Sequence, residues 1–185
     1  MKYVFLVEER SMKVFLDVLL DKYSDIIFQV VSHSGKSDLK SSIPRKLKAL
    51  NGIETMFVVL VDKDYSDCKK LKEEFVSICE SVAHVNFKVR IVCHELESWY
   101  LGDLSAVDKA FGTKLSKERN KTRYRKPDER AHPKEYLLKR INTRGQTDIA
   151  RKMANAMTPE SISENRSHSF HVLLDTLGLC FKQVE

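Results

Sequence analysis

Apolar residues fall in short runs separated by amphipathic stretches along the first hundred positions. Residues 2–7 read as a buried strand. Ser11 offers a helix N-cap, and Val14, Phe15, Val18 and Leu19 then recur at helical spacing. Residues 26–31 form a second strand rich in β-branched side chains. A polar loop containing Gly35 leads into a helix over residues 38–50, with Pro44 near its start or breaking it, and Asn51 and Gly52 stop it. Residues 55–61 are the most apolar segment, as expected of a strand covered on both faces. Asp67 is placed to cap a helix over residues 68–82, with Leu71, Phe75, Ile78 and Cys79 inward. Residues 87–93 give a fourth strand, and a helix runs from near His94 to Gly102.

This alternation predicts an α/β fold, a mostly parallel sheet of about four strands flanked by helices. Strands then cease. Residues 104–111, 134–141, 147–157 and 170–177 read as helices, and residues 117–133 as a basic loop. The expected division is an α/β core over 1–103 and a basic helical extension over 104–185. No repeat or low-complexity segment interrupts this order.

The composition is that of an ordinary globular chain, 42% hydrophobic and 31% charged over 185 residues. A chain of this length buries roughly 70% of its unfolded surface and needs no staples. No apolar run approaches the roughly 20 residues that span a bilayer, and Glu8 and Glu9 cut off the apolar start before it resembles a signal peptide. Cys68, Cys79, Cys93 and Cys180 form no CxxC pair, so a reducing cytoplasm is expected. The net charge of +6 is uneven. Residues 113–144 hold twelve Lys and Arg against four Asp and Glu. Such a segment suggests a polyanion such as nucleic acid, or simply a solvated helical surface. Arg119, Lys121, Arg123, Arg125 and Lys126 alternate there around Tyr124, an arrangement suited to phosphates with one stacked base.

Acids follow three of the four strands: Glu8 and Glu9 after the first, Asp62 and Asp64 after the third, Glu95 and Glu97 after the fourth. Open α/β sheets bind ligands at these strand ends. Two carboxylates ~5 Å apart repel by roughly 3 kcal/mol at an effective dielectric near 20. Such a group spreads apart, takes up protons or binds a cation. Oxygen ligands without added His or Cys favour Mg²⁺ or Mn²⁺. Glu9 reads as solvent-facing, and Glu95 and Glu97 equally suit a first helical turn. Glu8 and Asp62 end buried strands. The second strand exits instead into His33, Lys36 and Asp38. A phospho-receiver domain would need a Lys after a fifth strand, and no P-loop motif is present.

A Glu after the first strand and Asp-x-Asp after the third resemble the Toprim fold of topoisomerases, primases and overcoming-lysogeny-defect nucleases. The match falls on Glu8, Asp62 and Asp64. More closely, the chain is similar to a prokaryotic family of small Toprim-like proteins of unknown function, often encoded beside an ATPase. That likeness rests on residues 6–12 (LVEERSM), 33–38 (HSGKSD), 61–64 (VDKD) with Asp67 and Cys68, 90–103 (RIVCHELESWYLGD) and 165–170 (NRSHSF). Met12 departs from the pattern, since many Toprim nucleases carry another acid there. The resemblance implies a Mg²⁺-dependent nuclease acting with an ATPase partner, with phage defence as one setting. Asp62 and Asp64 would hold the metal, Glu8 would be a ligand or acid/base, and Glu95 and Glu97 would complete the shell. His33, Lys36 and Arg166 are phosphate contacts in this reading. The alternatives are a non-catalytic subunit of an ATPase complex and a small-molecule phosphoryl-transfer enzyme.

Overall fold

The computed structural model describes residues 1–179, so Cys180 lies outside the described residues. The chain divides into two compact units, Met1–Ile91 and Val92–Glu185. Four parallel strands form one sheet in the order β2-β1-β3-β4: β1 (Lys2–Val7), β2 (Ile27–Ser32), β3 (Thr55–Asp62) and β4 (Asn86–Val92). Helices α1 (Arg10–Tyr23), α2 (Lys36–Leu50) and α3 (Cys68–Glu80) connect them. The first crossover steps one way along the sheet and the next two step the other way. Right-handed crossovers therefore set α1 on one face and α2 and α3 on the opposite face.

Side-chain alternation agrees with this layering. Val4, Leu6, Phe57, Val59 and Val61 share a core with Leu39, Ile43 and Leu47 of α2 and Phe75 and Cys79 of α3. Phe5, Val7, Val58 and Leu60 face the other way and are equally buried. This double burial is why β1 and β3 read as continuous apolar runs. Pro44 lies inside α2 without breaking it. The buried face of α1 is Ser11, Met12, Phe15, Leu16, Leu19 and Leu20, one step round from the expected stripe. Ser11 does not cap that helix. Glu9 occupies the cap position, and the Ser11 hydroxyl donates to its carboxylate at 3.1 Å. Met12 belongs to the core face, which accounts for an apolar residue at that position.

The second unit is helical: α4 (Glu97–Gly102), α5 (Leu104–Phe111), α6 (Thr122–Arg125), α7 (Pro133–Leu138), α8 (Gln146–Ala156), α9 (Pro159–Ser163) and α10 (His168–Leu177), with 3-10 turns at Leu115–Glu118 and Pro127–Glu129. Helix α4 was expected to close the α/β core at Asp103, but it packs on α5 and α7 within this unit. The basic loop over 117–133 contains α6, the end of the first 3-10 turn and all of the second, elements that lack the length to show a period. Among the described residues no helix is long and apolar enough to cross a membrane.

Two sequence motifs interlock here. Trp99 Nε1 donates to Ser169 Oγ at 2.9 Å, and its ring meets Phe170 at 5.2 Å between centroids. Asn165 Nδ2 donates to Trp99 O at 2.9 Å, while Asn165 Oδ1 accepts from Ser167 N at 2.8 Å. The Arg166 amide donates to Gly102 O at 3.1 Å. Only glycine fits at position 102, because a Cβ would stand 2.0 Å from Asn165 Oδ1. Gly102→Ala is expected to lower stability by about 2 kcal/mol through overpacking and a displaced amide. That corresponds to a melting temperature roughly 4–8 °C lower. Thermal melts of Gly102→Ala, Asn165→Ala and the double variant check this: the two losses should be strongly non-additive.

Candidate functional site

Strand order reverses between β1 and β3, since β1 leads outward to β2 and the chain returns to β3 on the other side. Diverging connections open a crevice at the carboxyl ends of these two strands. Glu8 leaves β1 at this point, and Asp62 ends β3. The loop from β2 folds against it. His33 N donates to Val7 O at 3.1 Å and Gly35 N donates to Glu8 O at 3.1 Å. Gly35 has φ of 100°, a conformation that disfavours any side chain, and it caps the 15-residue helix α2. Lys36 is the first residue of that helix.

Lys36 joins the acids of the crevice. Its Nζ lies 2.6 Å from Asp64 Oδ2 and 4.0 Å from Glu8 Oε2. Glu8 is largely buried, its Oε2 accepts no hydrogen bond, and the backbone N–H of Asp62 donates to its carboxylate. Asp64 adopts the left-handed region at φ 49°, which Asp tolerates better than most residues. Burial pushes the Glu8 carboxyl above its ordinary range; Lys36 opposes the shift, Asp64 adds to it, and the Asp62 N–H opposes it. Asp38, in the first turn of α2, accepts from Ser34 N at 2.9 Å.

His33 is held on both ring nitrogens. Nδ1 donates to Val7 O at 2.9 Å, since a carbonyl only accepts, and Nε2 bonds to Ser42 Oγ at 2.6 Å. Ser42, buried one turn further along α2, gave no sequence signal beyond being a Ser within a helix. Among the described residues, no three His, Cys, Asp or Glu side chains are gathered closely enough to hold a metal ion between them.

The remaining expected residues lie in the second unit. Glu95 Oε2 accepts from Lys134 N at 3.2 Å and so satisfies the first turn of α7. Glu97, in the first turn of α4, is buried. Arg166 donates to Arg119 O and reaches Asn120 Oδ1 at 3.5 Å. Arg166 and Arg119 line a cavity of about 40 Å³ together with Ser105, Ser161, Glu164 and Asp103. Asp103 is buried; its Oδ1 accepts from Ser105 Oγ and Ala106 N, and its Oδ2 has no hydrogen-bond partner.

The basic strip is largely compensated. Arg119 pairs with Glu164 at 3.1 Å, Lys121 with Glu118 at 2.9 Å, Arg123 with Glu118, and Lys126 with Glu129 at 2.7 Å. Arg125 donates Nε to Asn120 O at 3.0 Å. Tyr124 is only 1% exposed and its hydroxyl meets that of Tyr136 at 2.7 Å, so its ring offers no free face for a base.

A family model described as a domain of unknown function, DUF4276, matches residues 7–178. The chain belongs to the DUF4276 family. No curated protein and no solved structure matches it. The matched span takes in the crevice of the first unit and the interlocked motifs of the second.

The raised Glu8 carboxyl has a measurable consequence. Folding favours its protonated form, so its contribution to stability is complete below the unfolded value near 4.5 and is lost as pH rises through the raised folded value. Glu8→Gln is therefore expected to melt above wild type near neutral pH and to converge on it as pH falls toward 4.5. Circular-dichroism melts across this range check it; a gap that does not depend on pH would remove burial as the dominant influence.

Proposed function

We propose that this DUF4276 domain handles phosphodiesters with a divalent cation at the β1–β3 crevice, as a Toprim-type nuclease. The observation that carries the reading is the convergence of Glu8 and Asp64 on a single cation, the Lys36 ammonium, at the topological switch point of the sheet. The donors fit Mg²⁺ or Mn²⁺, being carboxylate oxygens with no added His or Cys. Glu8 Oε2, buried and without a hydrogen-bond donor, is a fitting ligand. Mg²⁺ is commonly held by one or two carboxylates and completed by waters and substrate phosphates. Glu8 and Asp64 supply that number here. A bound cation would polarise a phosphoryl oxygen and lower the pKa of an attacking water.

In this reading Lys36 holds the two carboxylates together until the cation arrives. With a cation on those oxygens its ammonium would be free to meet a substrate phosphate beside the N-terminus of α2, where backbone N–H groups also favour an anion. Glu8, with its raised pKa, is suited to take or return a proton during attack. The ATPase partner and a part in phage defence come from the family resemblance alone. A second reading has its own support: Lys36 already neutralises Asp64, so the crevice would persist without metal in a non-catalytic subunit of an ATPase complex.

Millimolar Mg²⁺ or Mn²⁺ is expected to raise the melting temperature of wild type by mass action, and not that of Asp64→Asn. Lys36→Gln removes a cation that competes for the same oxygens. Like charges ~4 Å apart oppose each other by about 4 kcal/mol at an effective dielectric of 20. Lys36→Gln should therefore bind the ion at least about tenfold more tightly by calorimetry. Equal metal-induced shifts in wild type and Asp64→Asn would overturn the site.

Single-turnover cleavage of DNA and RNA, with the neighbouring ATPase present, separates the two readings. Glu8→Gln and Asp64→Asn are each expected to slow cleavage at least ~10²-fold. No cleavage by any form, with normal complex formation, would favour the non-catalytic subunit.

A further inference from the structure

The strip of residues 119–126 carries the densest positive charge, yet internal carboxylates answer most of it. The next stretch is different. Residues 130–144 hold five Lys and Arg against one Glu, a net of +4. Arg130 and Arg140 both lie on the Tyr136 ring, with guanidinium carbons 3.9 and 3.4 Å from its centroid. Two cations on one phenol repel each other, so the arrangement calls for negative charge nearby.

Among the described residues the protein does not provide it there. Arg130 donates to Arg123 O and Arg140 donates to Tyr136 O, both backbone carbonyls. Among the described residues, neither guanidinium pairs with a carboxylate. The Nε of Arg130 is buried with no acceptor. The neighbouring phenol does not ionise to help: burial, with the Tyr136 hydrogen bond, pushes the Tyr124 hydroxyl up to about 12. Glu135, the acid of this stretch, faces His132 at 3.8 Å.

We propose that Arg130 and Arg140, stacked on Tyr136, form a binding site for a backbone phosphate of nucleic acid. The guanidinium is planar, and its donor edge matches phosphate geometry in a way a lysine does not. Contact with the ring restrains each guanidinium in advance, so less side-chain freedom is lost on binding. Lys134, Lys139 and Arg144 extend the charge beyond one phosphate, which favours a polyanion over an isolated ion. The ligand class rests on the phosphodiester reading above, but the site itself needs no metal.

The test is binding of fluorescein-labelled single- and double-stranded oligonucleotides to the full chain in EDTA, followed by anisotropy across a salt series. The Arg130→Gln/Arg140→Gln variant is expected to bind roughly tenfold more weakly at physiological salt, with a salt slope smaller by about 1 to 2. Lys152→Gln, which removes one surface charge paired with Asp148, should leave both unchanged. Wild-type affinity and slope in a folded double variant would overturn the site. Should that variant not fold, arginine Nε–H resonances of the wild type give the answer, assigned through the single Arg→Lys variants. Those of Arg130 and Arg140 should shift on oligonucleotide addition, and no shift overturns the proposal. ATP or inorganic phosphate displacing the oligonucleotide at equal phosphate concentration would also overturn it, in favour of a small-ligand site. Because EDTA is present throughout, failure here leaves the β1–β3 crevice untouched, and failure of metal binding leaves this site untouched.

Discussion

Strand β1 runs through the driest part of the first unit and ends in a carboxylate. Val4, Phe5, Leu6 and Val7 have no exposed surface, and Glu8 follows directly. A charge left there without a partner would be costly. The local structure answers it with three features: the Asp62 N–H, the Lys36 ammonium, and a loop pinned to β1 by Gly35 and His33. Gly35 turns the chain so that α2 begins beside Glu8, and Ser42 then fixes His33 from within α2. Lys36 thus answers Asp64 directly and Glu8 only in part.

Its outline was legible in the sequence for physical reasons. Strands buried on both faces show as unbroken apolar runs, so β1 and β3 and the acids that end them could be placed directly. Edge strand β2 was also found, one residue out, because β-branched residues mark it. The link between Lys36 and Asp64 was not legible, since nothing in the spacing of residues 36 and 64 says that their elements adjoin. The strand order decides that, and strand order is a tertiary property. The buried face of α1 was misjudged by one position because Val14 and Val18 are apolar yet flank the stripe. Periodicity locates a face only to within a neighbouring row.

The second unit was harder to read. Its helices are short, so their periods are brief and α6 and α9 left no clear pattern. Its most distinctive motifs look chemical when written out, with Glu, Trp, Asn, Arg, Ser and His in close order. Many of those groups are spent on one another. Trp99, Ser169, Asn165 and Gly102 form a buried polar tie between distant parts of the chain, and Glu95 serves the first turn of α7. Charge counting failed in a similar way. The densest basic run is the one with carboxylates interleaved, whereas the sparser run after Arg130 has less to neutralise it.

This difference bears on how the crevice and the arginine pair are to be compared. At Glu8 and Asp64 the protein supplies its own counter-ion, so any incoming cation must displace an ammonium as well as shed water. In the proposed reading such a site would bind a cation weakly until a phosphate received the displaced lysine. At Tyr136, among the described residues, no carboxylate answers the two guanidinium groups, so an anion bound there would displace no ion pair. The two sites therefore differ in what they demand. In the proposed reading the first would respond to a cation and a phosphate together, and the second would hold phosphate with or without the cation.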